Sequence, residues 1–76
     1  MNKKEATEKF MEYAGKEYND IKIVSIDERN DRFLFEFIED GDDFPIDYPI
    51  ISVMKTNGEI KELSFLKAED RMIIYG

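Results

Sequence analysis

Phe33-Leu34-Phe35-Glu36-Phe37-Ile38 is the stretch that decides the fold class. Side chains alternate between the two faces of a strand, so the three phenylalanines share one side and Leu34, Glu36 and Ile38 take the other. Three large rings on one face need a cover. Residues Asn2 to about Tyr18 supply it: Ala6, Phe10, Ala14 and Tyr18 recur at helical spacing, Met11 and Tyr13 widen the stripe, and Lys and Glu fill the opposite side. The expected architecture is α+β, an N-terminal helix packed on one face of a four- or five-stranded antiparallel sheet, with residues 1–76 forming one domain.

Local signals mark the remaining elements. Asn2 is placed to cap the helix, with Glu5 three positions on as in a capping box. Glu5–Lys9 and Glu12–Lys16 are i, i+4 pairs in the favourable order. Gly15 either ends the helix early or lets the sheet approach closely, and the continuation of the stripe to Tyr18 favours the second. Ile21 to Glu28 is β-branched and reads as a first strand, but Ile21 and Ile23 alternate out of phase with Val24 and Ile26. Either both faces are partly covered or a bulge shifts the phase. Arg29-Asn30-Asp31 is the turn into the phenylalanine strand.

Downstream, Glu39 to Tyr48 reads as a loop and Ile50 to Lys55 as a third strand. Asn57-Gly58 is the signature of a two-residue type I′ hairpin turn. That turn would set Lys55 opposite Ile60, Val53 opposite Glu62 and Ser52 opposite Leu63. Ile50, Met54, Leu63 and Phe65 then form the expected core face. Leu34, Ile38, Ile51, Val53 and Ile60 are left as an apolar second face, open to a partner or to a second copy of the chain. The tail suits a turn at Ala68-Glu69-Asp70 followed by a short strand, Met72-Ile73-Ile74-Tyr75.

Composition bounds the function. The chain has 76 residues, no cysteine and no histidine. Thiol nucleophiles, Cys-His dyads and Ser-His-Asp triads are therefore excluded, together with the usual general base near neutral pH and the commonest metal ligand. The four glycines stand apart, so no glycine-rich phosphate loop exists. Enzymatic chemistry is not expected, and no cofactor is called for. The charged residues among the first twenty leave no apolar signal segment, and no apolar run is long enough to span a bilayer, which points to a cytoplasmic protein.

The net charge of −7 is unevenly placed. Phe33 to Met54 holds six acids and no Lys or Arg, whereas the rest of the chain has twelve acids against eleven bases. This segment should repel nucleic acid and anionic lipid and attract a basic protein surface. Its centre, Glu39-Asp40-Gly41-Asp42-Asp43, does not match the calcium loop of an EF-hand, since the fifth position from Asp40 is Phe44 and the twelfth is Ile51. The stretch from Asp42 to Tyr48 has two readings. Phe44, Ile46 and Tyr48 interleave with Asp42, Asp43 and Asp47 as apolar anchors in an acidic field, which suits docking. Alternatively, Phe44 and Ile46 tuck under the sheet edge and staple the loop to the core. The candidate partner-binding residues are Asp40, Asp42, Asp43, Phe44, Asp47 and Tyr48.

The order of a helix and antiparallel strands, with Tyr48-Pro49-Ile50-Ile51-Ser52-Val53 leading into Asn57-Gly58-Glu59-Ile60, resembles the small cystatin-like α+β bacterial families. The immunity protein 35 family, which protects bacteria against their own polymorphic toxins, has a similar Pro-Ile-x-Val strand running into a Gly-Glu-Val type hairpin. The PepSY domain has a similar helix and a similar strand–turn–Gly–strand ending. The resemblance implies a cystatin-like helix on a sheet. Through the immunity family it also implies an acidic inhibitor that docks its 39–48 loop on a basic toxin.

Overall fold

The computed structural model describes all residues, Met1 to Gly76. Helix α1 (Lys3–Glu17) is followed by strands β1 (Ile21–Glu28) and β2 (Arg32–Glu39), a single 3-10 turn (Pro45–Asp47), strands β3 (Ile50–Met54) and β4 (Ile60–Leu63), and helix α2 (Ala68–Tyr75). The four strands form one antiparallel sheet in the order β1-β2-β3-β4. The α+β architecture with a helix packed on the sheet is as the sequence predicts.

The start of α1 reflects its local chemistry. Asn2 accepts from the Glu5 amide at 2.9 Å while the Glu5 carboxylate accepts from the Asn2 amide at 3.2 Å, completing the capping box. Ala6, Phe10 and Ala14 are fully buried against Phe33, Phe35, Phe37, Ile51 and Val53. Phe10 stacks on Phe35 with ring centroids 4.6 Å apart. Gly15 neither ends the helix nor admits the sheet: it is exposed within α1, and a Cβ there would meet nothing within 4 Å. In β1 the phase problem is resolved by a bulge. Ile23 pairs with Phe37 and Ser25 with Glu36, so Val24 is the unpaired extra residue. The slip returns Ile26 to the side of Ile21 and Ile23, and all three pack on the α1 core.

Three further expectations need correction. The β3–β4 turn is not type I′, because Gly58 has a positive φ (70°) and Asn57 does not. Met54 instead closes a longer loop, accepting from the Gly58 amide and donating to the Glu59 carbonyl at 2.9 Å each. The register is therefore Val53–Ile60, Ile51–Glu62 and Ile50–Leu63. This differs by two residues from the expected pairing, and a slip of two leaves every side chain on its own face.

The core face is also reversed. The pairings Phe33–Val53 and Phe35–Ile51 set Ile51 and Val53 beside the phenylalanines under α1, with Ile60 next to them. Ile50, Leu63 and Leu34 lie on the opposite side of the sheet, in a smaller second core. Of the other two residues assigned to the expected core face, Met54 is only half-buried and Phe65 lies beyond β4 and is exposed. The expected second face thus mixed residues from both sides, and most of it is covered.

The third correction concerns the tail, which is helix rather than strand. α2 buries Ile74 on Leu34, Ile50 and Leu63, with Ile73 packed alongside. Arg29 holds its end, donating to the carbonyls of Ile73 at 2.9 Å and Ile74 at 2.6 Å, where a cation also meets the negative end of the helix dipole. At its start the buried Asp70 accepts from the Ser64 amide at 2.9 Å, and the Lys61 ammonium lies 3.7 Å from its other oxygen.

Candidate functional site

The chain leaves β2, enters β3 and leaves β4 at one end of the sheet, so the loop before β3 and the segment after β4 are neighbours there. Pro45 stands in the first turn of the 3-10 segment, where its fixed φ suits a helical start. The Tyr48 amide closes that turn onto the Pro45 carbonyl at 3.0 Å. The Tyr48 ring packs on Phe37 (centroids 5.3 Å apart) and Tyr18 (6.0 Å). Its hydroxyl donates to the carboxylates of Asp42 and, at 3.4 Å, Glu39. Glu39 also accepts from the Asn19 amide at 2.7 Å, tying the loop to the end of α1.

Tyr48 is therefore the residue that staples the loop to the core. Phe44 and Ile46 do not tuck under the sheet: they are 72% and 80% exposed. Asp40, Asp42, Asp43 and Asp47 are exposed as well, and Tyr48 is half-buried. The hydrogen bond to Asp42 is the main reason the Tyr48 phenol is pushed up to about 12. Burial raises Tyr18, and the hydrogen bond to the Glu62 carboxylate raises Tyr13.

Two clefts flank this loop and share Ile46, Tyr48, Pro49 and Phe65 as a common ridge. One, of about 450 Å³, is completed by Phe37, Phe44, Pro45, Ile50 and Glu36. The other, of about 770 Å³, reaches Tyr18, Leu66 and Tyr75, with Asp47 and Glu62 on its rim. Of the predicted site residues, Phe44, Asp47 and Tyr48 line the clefts, while Asp40, Asp42 and Asp43 stand outside them. The residues that sequence reasoning missed are Phe65, Leu66 and Tyr75. Leu66 is 90% exposed and Tyr75 73% exposed. The available signal was the run Met72-Ile73-Ile74-Tyr75, which is more apolar than one side of a short surface helix can bury.

The arrangement offers apolar contact surface with carboxylates beside it. No three acidic side chains gather as a metal site. Ser25 donates to Glu36 at 2.9 Å, and Ser52 is buried beside the Arg32 guanidinium at 3.4 Å. No helix is long and apolar enough to cross a membrane. No family model, curated protein or solved structure matches this chain.

Proposed function

We propose that the chain is a non-enzymatic, cytoplasmic protein-binding domain of bacterial type, an immunity-type inhibitor that docks its acidic 39–48 loop on a basic toxin. The observation that carries this reading is the exposure of Phe44 and Ile46 on a loop whose remaining side chains are mostly carboxylates. Folding gains little from two bulky apolar groups left in water, whereas an interface gains both their burial and charge-steered encounter. The proline-bounded turn and the Tyr48 tether hold the anchors in place before binding, which reduces the ordering cost of association. The same negative field disfavours nucleic acid as a partner.

The test is affinity capture from the source cell with wild-type bait and with an Asp42→Asn/Asp43→Asn variant. The expected result is a basic partner retained by the wild type, released by added salt and lost from the variant. If the same partners return with both baits, the reading is wrong.

A further inference from the structure

Building on that docking reading, we infer that the paired clefts take a cationic amphipathic segment of the partner, which seats one bulky apolar side chain on each side of the Ile46–Pro49 ridge and sets its lysines or arginines over Glu36, Asp47 and Glu62. Three separate stretches of chain bring their apolar groups to this one end of the sheet: Phe44 and Ile46, Phe65 and Leu66, and Tyr75. All of them are exposed. A surface of that kind, rimmed by charge of one sign, marks an interaction site rather than scattered surface hydrophobics.

The charge around it selects the occupant. Glu36, Asp47 and Glu62 line the clefts, and no Lys or Arg lines either one. The Arg71 guanidinium is engaged by the Phe65 carbonyl at 2.8 Å and does not line either cleft. Two of the three carboxylates are fixed through one oxygen each, Glu36 by the Ser25 hydroxyl and Glu62 by the Tyr13 hydroxyl. They present a set charge pattern at little ordering cost. A second copy of this chain would bring the same acids against themselves, since a two-fold contact pairs a patch with its own image. A cationic segment meets both the apolar floor and the acidic rim.

The test uses the isotope-labelled chain and three synthetic helical peptides: one of Leu and Lys with the leucines on one face, an oligolysine of equal charge, and a Leu/Glu counterpart. The Leu/Lys peptide is expected to shift the amides of residues 44, 46–48, 50, 62–66 and 75. Ile46→Ser and Leu66→Ser should each weaken it about tenfold, as for a central apolar anchor. Both side chains face solvent, so the fold should tolerate the changes. Equal binding by oligolysine, with shifts confined to residues 40–43, would overturn the groove while leaving the acidic docking loop standing. Equal binding by the Leu/Glu peptide would overturn the charge selection. If neither cationic peptide binds, the groove inference fails and the capture experiment alone decides the loop reading. A dimer in sedimentation that Leu66→Ser abolishes would make a second copy the occupant and overturn the inference as well.

Discussion

Tyr48 connects the core to the proposed binding loop through a single side chain, with its ring on Phe37 and its hydroxyl on Asp42 and Glu39. The bond to Asp42 favours the neutral phenol, so the folded-state value of about 12 lies above the ordinary 10.0. The tether therefore contributes fully below pH 10.0 and is lost as the pH rises through about 12. The Tyr48 ring resonances should titrate near the upper value, and Tyr48→Phe should remove the hydroxyl tether to Asp42 at every pH. A Tyr48 titrating at the ordinary value would refute the tether. At this scale the sequence was partly legible. Asn2 and Glu5 announced their capping box, because a cap depends only on residues three apart. The fate of Phe44 and Ile46 was open, because it depended on which neighbouring side chain took the place under the sheet, and Tyr48 took it.

Among the elements, α1 was the most legible, since its apolar spacing and its charged side agree with its cap. Its one discordant residue leads to a prediction. Gly15 is exposed, with open space where a Cβ would stand, so Gly15→Ala should raise stability by about 0.5–1 kcal/mol in a urea titration. Gly58 should behave in the opposite way. Its φ of 70° suits glycine, and a Cβ would come to 3.0 Å from the Met1 side chain, so Gly58→Ala should cost about 1 kcal/mol or more. Equal effects at the two glycines would contradict the hairpin geometry. The hairpin's place was readable from Asn57-Gly58, but its turn type was not. An Asn-Gly pair permits several loops, and the pairing of β3 with β2 and the closure through Met54 select among them. The tail was misread because four apolar residues in a row fit a strand or a helix equally well. The Leu34, Ile50 and Leu63 surface that α2 covers is assembled from three different strands.

For the whole molecule, the two cores differ in weight. The hydrophobic cluster under α1 holds eight buried residues, including four phenylalanines, while the cluster under α2 holds four. A chain of this length has a total stability of roughly 4–11 kcal/mol. Phe35→Ala should cost about 3–5 kcal/mol and leave a substantial unfolded fraction. Ile74→Ala should cost about 2 kcal/mol and act mainly on α2. Native-state hydrogen exchange should show α2 amides opening at a lower free energy than those of β2, with the gap widened by Ile74→Ala. A common opening free energy for α2 and β2 would mean that the two layers unfold as one unit. Local opening of α2 would also move Tyr75, so the wider cleft should be the less rigid of the two.

By itself the sequence determined the elements whose signals are local in the chain: the period-two phenylalanines of β2, the stripe and cap of α1, the bulge as one of two options for β1, and the acidic segment with no base in it. Tertiary structure alone decided which side of β3 joined the phenylalanines, that the tail coils into α2, and that Phe44 and Ile46 face water. It also brought Phe65, Leu66 and Tyr75 to the same groove. The physical reason is common to all four. Strand register, layer packing, surface convergence and the choice of Tyr48 over its neighbours Phe44 and Ile46 all depend on surfaces assembled from residues distant in sequence, which no short window along the chain contains.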